Sequence, residues 1–488
     1  MSKRAACIEI EAELQAIRKE RIKVMRLNLH SLLSVKLALG VALALLAVAW
    51  IPATSPSAQV ILRVPQDYPT IQAAVDAAPE GATILIGPGT YVEQVTIAKS
   101  LTLEGSGIGV TILEPPQPPS PLDEPNPVFT VQAPERTVTL RVRQLTVGSP
   151  SYKGVVGQGI GIKVLSRVSL VLEQSAWVSL IWGIFAADLV ERLEIRDSLF
   201  ERNYAFIFVA REGEWVIGEV ILERNRFTQG AGISIYMYET FLTINSLRIL
   251  AHDNTVICDP EFPPAAHSVG MAFGVVGQAE IARNLVVLCD SGLVVFQGLK
   301  GTQVTIRDNW LLNNNRNLLI NEMPDVFLVQ IKSGTIDWLI EGNTIVGGGI
   351  GIEAHILNIE NVEGRRVHLL KNWIAQQRKQ YLGLQTPADL SLFGNGVLLY
   401  TSLKQKDLKE PLTIEISENR IEHNEAWGLA LNLIPGWGSR PDQCNVRFMD
   451  DEYFFTDLEI TGNGNNFYDN SKGDLCPPDY PWPPGFRK

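Results

Sequence analysis

Side chains for metal binding and redox chemistry are scarce in this sequence. Its 488 residues hold six His, six Met and five Cys, and no two Cys stand in a CxxC spacing. A thiolate zinc site and a dithiol redox centre are therefore excluded. Charge is thin as well: 19% of residues are charged against 46% apolar, a balance that supplies a large core and argues against disorder. Positive charge is the scarcer sign. The formal net charge is −11, and residues 1–36 hold eight Lys/Arg against four Glu, so +4 lies there and −15 in the remainder. An acidic body excludes a nucleic-acid partner, because phosphate binding draws on clustered Lys and Arg.

Long apolar runs are missing too. The best is Leu37 to Ile51, fifteen uncharged residues behind Lys36, which as a helix would span about 22 Å of a roughly 30 Å hydrocarbon core. That length suits the apolar region of a secretory signal, and Ser55 and Ser57 offer a small-x-small cleavage site before Ala58. Residues 1–36 form a basic leader of helical pattern, and 37–58 the signal with its cleavage region or, alternatively, an uncleaved membrane anchor. A start at Met25 would leave a conventional short leader. Either reading exports the chain to the periplasm, the cell envelope or the medium, with membrane contact confined to the N-terminal segment.

Cys7 belongs to the leader. Cys258, Cys289, Cys444 and Cys476 remain, an even number suited to an oxidising compartment. The repeat register favours Cys258–Cys289 and Cys444–Cys476, with free buried thiols the alternative for the first pair.

What is present is a repeat. Nine segments share alternating apolar residues, a polar pair, an Asn and more apolar residues, among them VILERNRF from Val220, VTIRDNWLL from Val304, VHLLKNWIA from Val367 and LEITGNGNNF from Leu458. The Asn falls at Asn225, Asn254, Asn284, Asn309, Asn343, Asn372, Asn419 and Asn463, with Ser198 in the first copy; the steps are 27, 29, 30, 25, 34, 29, 47 and 44 residues. Period-two alternation over five or six residues means strand. Most copies continue with a Gly-initiated second strand, such as GLVVF from Gly292 and GIGIEAH from Gly349. Such units bury their apolar face only by stacking. A turn Asn repeated one rung apart, about 4.8 Å, can bond its neighbour and form a ladder.

The opening VPQDYPTIQAAVDAAPEGATILIGPGTYVEQVTIAKSLTLEGSG resembles that of pectin methylesterases, and with the repeats the chain from about Val64 to Asn470 resembles the right-handed parallel β-helix of the pectin-lyase-like superfamily. The fold expected is all-β: a solenoid of about 10–12 rungs over residues 59–470. A short helix at Ile71, Ala74, Val75 and Ala78 would cap its N-terminal end, and a Pro-rich tail, 471–488, would lie as a strap over the other.

The resemblance also implies where chemistry would sit, on the outward face of the Gly-initiated sheet. Alternation assigns that face Ser234/Tyr236, Ala272/Gly274, Val294/Phe296, Leu319/Asn321, Glu353/His355, Leu398/Tyr400 and Ala430/Asn432. Glu353 and His355, two apart, leave one face together and are the candidate acid/base pair. Tyr236, Phe296, Asn321, Tyr400 and Asn432 are the candidate substrate contacts, with Val294, Phe296, Leu319 and Leu398 alternatively an apolar floor under the long loops. The Gln, Asp and Arg set of the methylesterases, the NTD–DD–GHG–RIK series of polygalacturonases and the acidic calcium sites of pectate lyases have no counterpart, although Asp290, Glu322 and Arg316 lie near one edge. No metal or cofactor is expected from a motif, calcium being the one ion the resemblance allows. The expected function is binding of polysaccharide or another envelope component without turnover; the alternative is a polysaccharide lyase or glycoside hydrolase. Oligomeric state is left open.

Overall fold

The computed structural model describes residues 59–116, 125–133, 136–152, 158–186, 190–209, 218–230, 232–235, 247–258, 268–297, 302–321, 336–356, 365–378, 393–401, 412–433, 458–476, 478 and 480–486. These form a right-handed parallel β-helix. A first sheet runs from Val95–Ile97 to Gly473–Cys476, a second from Ile61–Val64 to Leu458–Thr461, and a third from Gly89–Val92 to Asn466–Tyr468. Each strand pairs in parallel with its counterpart one rung on, as Leu318↔Ile352, Val304↔Trp338 and Leu311↔Ile345 illustrate. The leader and signal assignments, 1–58, lie outside the described residues; among the described residues no helix is long and apolar enough to cross a membrane.

The third sheet has thirteen strands among the described residues, more than the 10–12 rungs expected. The additional rungs come first, where Leu145 and Ser175 precede the third-sheet strands Thr146–Gly148 and Ala176–Val178, so no Asn announces them. From Asn225 onward the ladder is continuous. Asn254 Oδ1 accepts from both the backbone N and Nδ2 of Asn225, each at 3.0 Å, while Asn254 Nδ2 donates to Leu222 O and to Asn284 Oδ1. The same pattern repeats through Asn309, Asn343, Asn372 and Asn419, so buried backbone donors at each turn are satisfied by the next rung.

The last rung of the ladder corrects the sequence reading. Asn419 donates to Asn465, at 3.0 and 3.1 Å, not to Asn463. Ile414 pairs with Ile460, where the pattern alone aligned Ile414 with Leu458. A two-residue slip leaves every side chain on its proper face, so alternation cannot detect it. A second ladder at the opposite corner, including Asn314, Gln377, Asn424 and Asn470, was not anticipated because its members recur at irregular spacing.

The interior is stacked in register. Trp177, Phe200 and Phe227 occupy successive rungs of the third sheet with ring centroids 5.9 and 5.0 Å apart. Each Gly at the start of a first-sheet strand faces this interior against the neighbouring rung. A Cβ on Gly351 would lie 2.2 Å from Gly396 O and 2.6 Å from Ile374, which is why those strands open on Gly. At the N-terminal end the helix Ile71–Ala77, capped by Thr70 Oγ1 accepting from Ala73 N, buries Ile71, Ala74 and Val75 in the core. At the other end Tyr480, Trp482 and Phe486 are buried, with Phe486 5.9 Å from Phe467. Both open ends of the stack are covered by apolar side chains.

A disulfide joins Cys258 and Cys289, which leave the third sheet on successive rungs, Cα to Cα 5.0 Å. Cys476 is disulfide-bonded as well; Cys444 lies outside the described residues.

Candidate functional site

The first sheet brings the candidate residues into two parallel rows. Ala272, Val294, Leu319, Glu353, Leu398 and Ala430 hold one register position on successive strands, and Phe296, Asn321, His355, Tyr400 and Asn432 hold the position two residues on. Their inward neighbours, Leu318, Ile320, Ile352 and Ala354, are in the core. His355 therefore stands one rung, about 4.8 Å, from the positions of Asn321 and Tyr400. Tyr236 lies outside the described residues.

Most of the first row is apolar and covered: Ala272, Val294, Leu398 and Ala430 are buried and Leu319 half-buried, as is Phe296 in the second row. Leu398 and Ala430 pack with Ile350, Phe393 and Cys476 in an apolar cluster separate from the main core. The exception in this row is Glu353. It points away from the core, between Leu319 and Leu398 in register, yet is only 4% exposed.

Two positive or potentially positive groups meet the Glu353 carboxylate. His355 Nε2 and Glu353 Oε1 share a 2.6 Å hydrogen bond. Arg316 Nε is 3.0 Å from the other oxygen, an ion pair whose N–H is not aimed along the lone pair. Burial pushes the Glu353 carboxyl up, but the His355 hydrogen bond and the Arg316 charge together outweigh it and hold the group below its ordinary value. The side chain is thus an ionised carboxylate in an apolar setting, a combination that needs its partners.

Arg316 was the residue the outward grid did not contain. It opens the strand Arg316–Asn321, in register with Ile350, three residues before the rung position of Glu353. Its length carries the guanidinium across to the next rung. The signal available in the sequence was its position near Asp290 and Glu322. Asp290 accepts from Asn315 Nδ2 at 2.8 Å and its backbone carbonyl from Arg316 N; Glu322 lies outside the described residues. Among the described residues no group of three or more His, Cys, Asp or Glu is gathered to hold a metal ion.

No protein-family model matches the chain, and no curated protein matches it. Solved structures do. The mannuronan C-5 epimerase AlgE4 A-module of Azotobacter vinelandii is 13% identical with a TM-score of 0.40, covering 83% of this chain and 92% of that one. The periplasmic alginate epimerase AlgG is 11% identical, TM-score 0.31, over 85% and 83%. A mannuronic-acid-specific polysaccharide family 6 lyase from human gut microbiota is 9% identical, TM-score 0.29, over 83% and 91%. The fold itself is given by the strand pairing, a stack of parallel rungs in a β-helix. Likeness at this level does not extend to chemistry, which rests on the residues themselves.

Chemically, this cluster offers an imidazole, a shared carboxylate and a guanidinium on the outward face of the first sheet. A carboxylate bonded to an imidazole fixes the ring's orientation and stabilises the imidazolium that forms when the ring takes a proton. Glu353, buried and engaged at both oxygens, is placed to serve His355 more than to exchange protons itself.

Proposed function

We propose that this protein is an exported carbohydrate-active enzyme that performs proton transfer on a polysaccharide at the outward face of the first sheet. The observation that carries the reading is the Glu353 carboxylate, buried on a strand face that points away from the core and shared between His355 and Arg316. Burying a charge costs several kcal/mol, and no packing need in the repeat calls for it, since neighbouring rungs fill the same position with Val, Leu or Ala. Buried carboxylates shifted from their ordinary range and bonded to specific partners, as Glu353 is, cluster at functional sites.

In this reading His355 is the proton-transfer group, Glu353 positions it, and Arg316 places positive charge where an acidic sugar would bind. Hydrolysis of a glycosidic bond ordinarily uses two carboxyl groups flanking it. The Arg316 guanidinium beside the imidazole favours elimination, begun by removing the proton next to a sugar carboxylate whose charge Arg316 would offset. The Cys258–Cys289 bond supports an oxidising, extracytoplasmic location.

The test is a screen of the purified protein against soluble acidic and neutral polysaccharides, with and without calcium, reading unsaturated products and new reducing ends. Unsaturated products that disappear in His355→Ala support the reading. Reducing ends without unsaturation would make it a hydrolase; binding without products would return the protein to a recognition role; activity unchanged in His355→Ala would sink the assignment of the site.

A further inference from the structure

The third sheet presents a surface unlike the second. Along each of its three-residue strands the middle side chain is inward and the first and third are outward. Over five successive rungs those outward pairs are Thr255/Ile257, Leu285/Val287, Trp310/Leu312, Thr344/Val346 and Trp373/Ala375. Not one of the ten is charged, whereas charged side chains recur on the outward face of the second sheet. The uncharged strip ends at Arg420 and Glu422, the next rung.

On this surface stand three exposed aromatic side chains. Trp310 is 58% exposed, Trp373 39% and Tyr468 56%. Trp310 and Trp373 hold one register position on alternate rungs, Trp310, then Thr344, then Trp373, so their interval is two rungs, about 9.6 Å. Tyr468 stands two rungs further on but in register with Glu422, to one side of the two Trp rings. Large aromatic rings left in water on one face are costly to a free surface and mark a binding face. Trp373 is also held in place, its Nε1 donating to Glu422 Oε1 at 3.1 Å and the Arg420 guanidinium 5.5 Å from its ring centroid. Arg420 in turn pairs with Glu422 at 2.7 Å. A ring fixed in this way loses little freedom on binding.

We infer that Trp310 and Trp373 form a second polysaccharide-binding surface, whose ligand is an extended, uncharged β-1,4-linked glycan. Two rungs match the disaccharide repeat of such a chain, so every second sugar meets a ring. Sugar rings present apolar C–H faces that pack on aromatic side chains, and the strip's lack of charge suits a neutral polymer in place of a polyuronate. The surface is separate from the Glu353 site, and the inference does not depend on the reaction proposed there.

Affinity electrophoresis of the full chain in gels containing hydroxyethylcellulose or polygalacturonate tests it. The wild type should be retarded by hydroxyethylcellulose. Trp310→Ala and Trp373→Ala should each raise the dissociation constant roughly tenfold, and the double change should abolish retardation. Trp310→Phe and Trp373→Phe should recover part of the affinity, and all variants should unfold at the wild-type temperature, since the rings are exposed. No retardation of the wild type, or retardation untouched by the double change, would overturn the inference. So would retardation by polygalacturonate alone, or a loss of self-association in the Trp variants without a change in glycan binding, which would make the strip a contact between copies of this chain.

Discussion

The second sheet and the first sheet both turn polar or charged side chains outward, but in opposite ways. On the second sheet, charges follow the rung repeat. Arg143 pairs with Glu104, Arg196 with Glu223, Arg248 with Glu219 and Arg307 with Glu280, each partner one rung away. At the turn that follows, Asp197, Arg224, Asp253, Arg283 and Asp308 occupy left-handed backbone positions on successive rungs with alternating sign, and Asp197–Arg224 and Asp253–Arg283 are bidentate. On the first sheet the outward row from Ala272 to Ala430 is apolar except at one rung, where Arg316, Glu353 and His355 converge under cover. Periodic charge in a repeat protein is part of how rungs recognise one another. Charge that breaks the period marks a place where the repeat has been given up for something else.

The largest effect should come from the periodic side. Asn309→Ala removes the acceptor for Asn284 N and Nδ2 and the donor to Ile281 O, all buried. Leaving such groups unsatisfied should cost about 3 kcal/mol, read as a lower denaturant midpoint. Asn463→Ala, at the position the pattern wrongly placed in the ladder, should cost under about 0.5 kcal/mol. Equal losses at the two positions would show that the ladder is not what holds the turns.

At the aperiodic rung, Glu353→Gln keeps the shape but removes the negative charge that faces Arg316 and His355. We expect a loss of about 2 kcal/mol together with loss of any activity on polysaccharide. His355→Ala should remove activity and cost about 1 kcal/mol, because it takes one of two partners from a buried carboxylate. If both variants were fully stable and active, the cluster would be neither structural nor functional.

The contrast also explains what could be read from sequence. Periodic features were legible: the Asn ladder, the Gly-initiated strands and the outward placement of Glu353 and His355 all follow from repetition and alternation. The two-residue slip at Asn465 was invisible because alternation has period two. Arg316 was missed as a partner because it begins its strand and reaches Glu353 through side-chain length, which no spacing rule encodes. Trp310 and Trp373 follow a ladder Asn in NWLL and NWIA, where an apolar run reads as core. Only the strand register shows that the residue after each ladder Asn faces out.

A pH titration separates the two kinds of charge further. The Glu353 carboxyl is held below its ordinary 4.5 in the folded protein. Its contribution to stability is therefore present above about pH 4.5, the value of the unfolded chain, and is lost as pH falls through the lower folded value. Stability of the wild type should drop below pH 4.5 more steeply than that of Glu353→Gln. Parallel curves would mean that the carboxylate is not stabilised by its partners.

The smallest effect tests whether alternation itself matters in the charged ladder. Arg283→Ala removes an exposed pair and should cost a few tenths of a kcal/mol. Exchanging the two charges, Asp253→Arg with Arg283→Asp, would keep that pair intact. It would also set like charges against Arg224 on one side and Asp308 on the other, both of which now attract their neighbours. If the ladder acts as a whole, the exchange should destabilise by at least as much as Arg283→Ala, and the loss should shrink in high salt as screening shortens the reach of each charge. If the exchange is neutral, each ion pair stands alone, and the alternation along the turns contributes nothing to rung register.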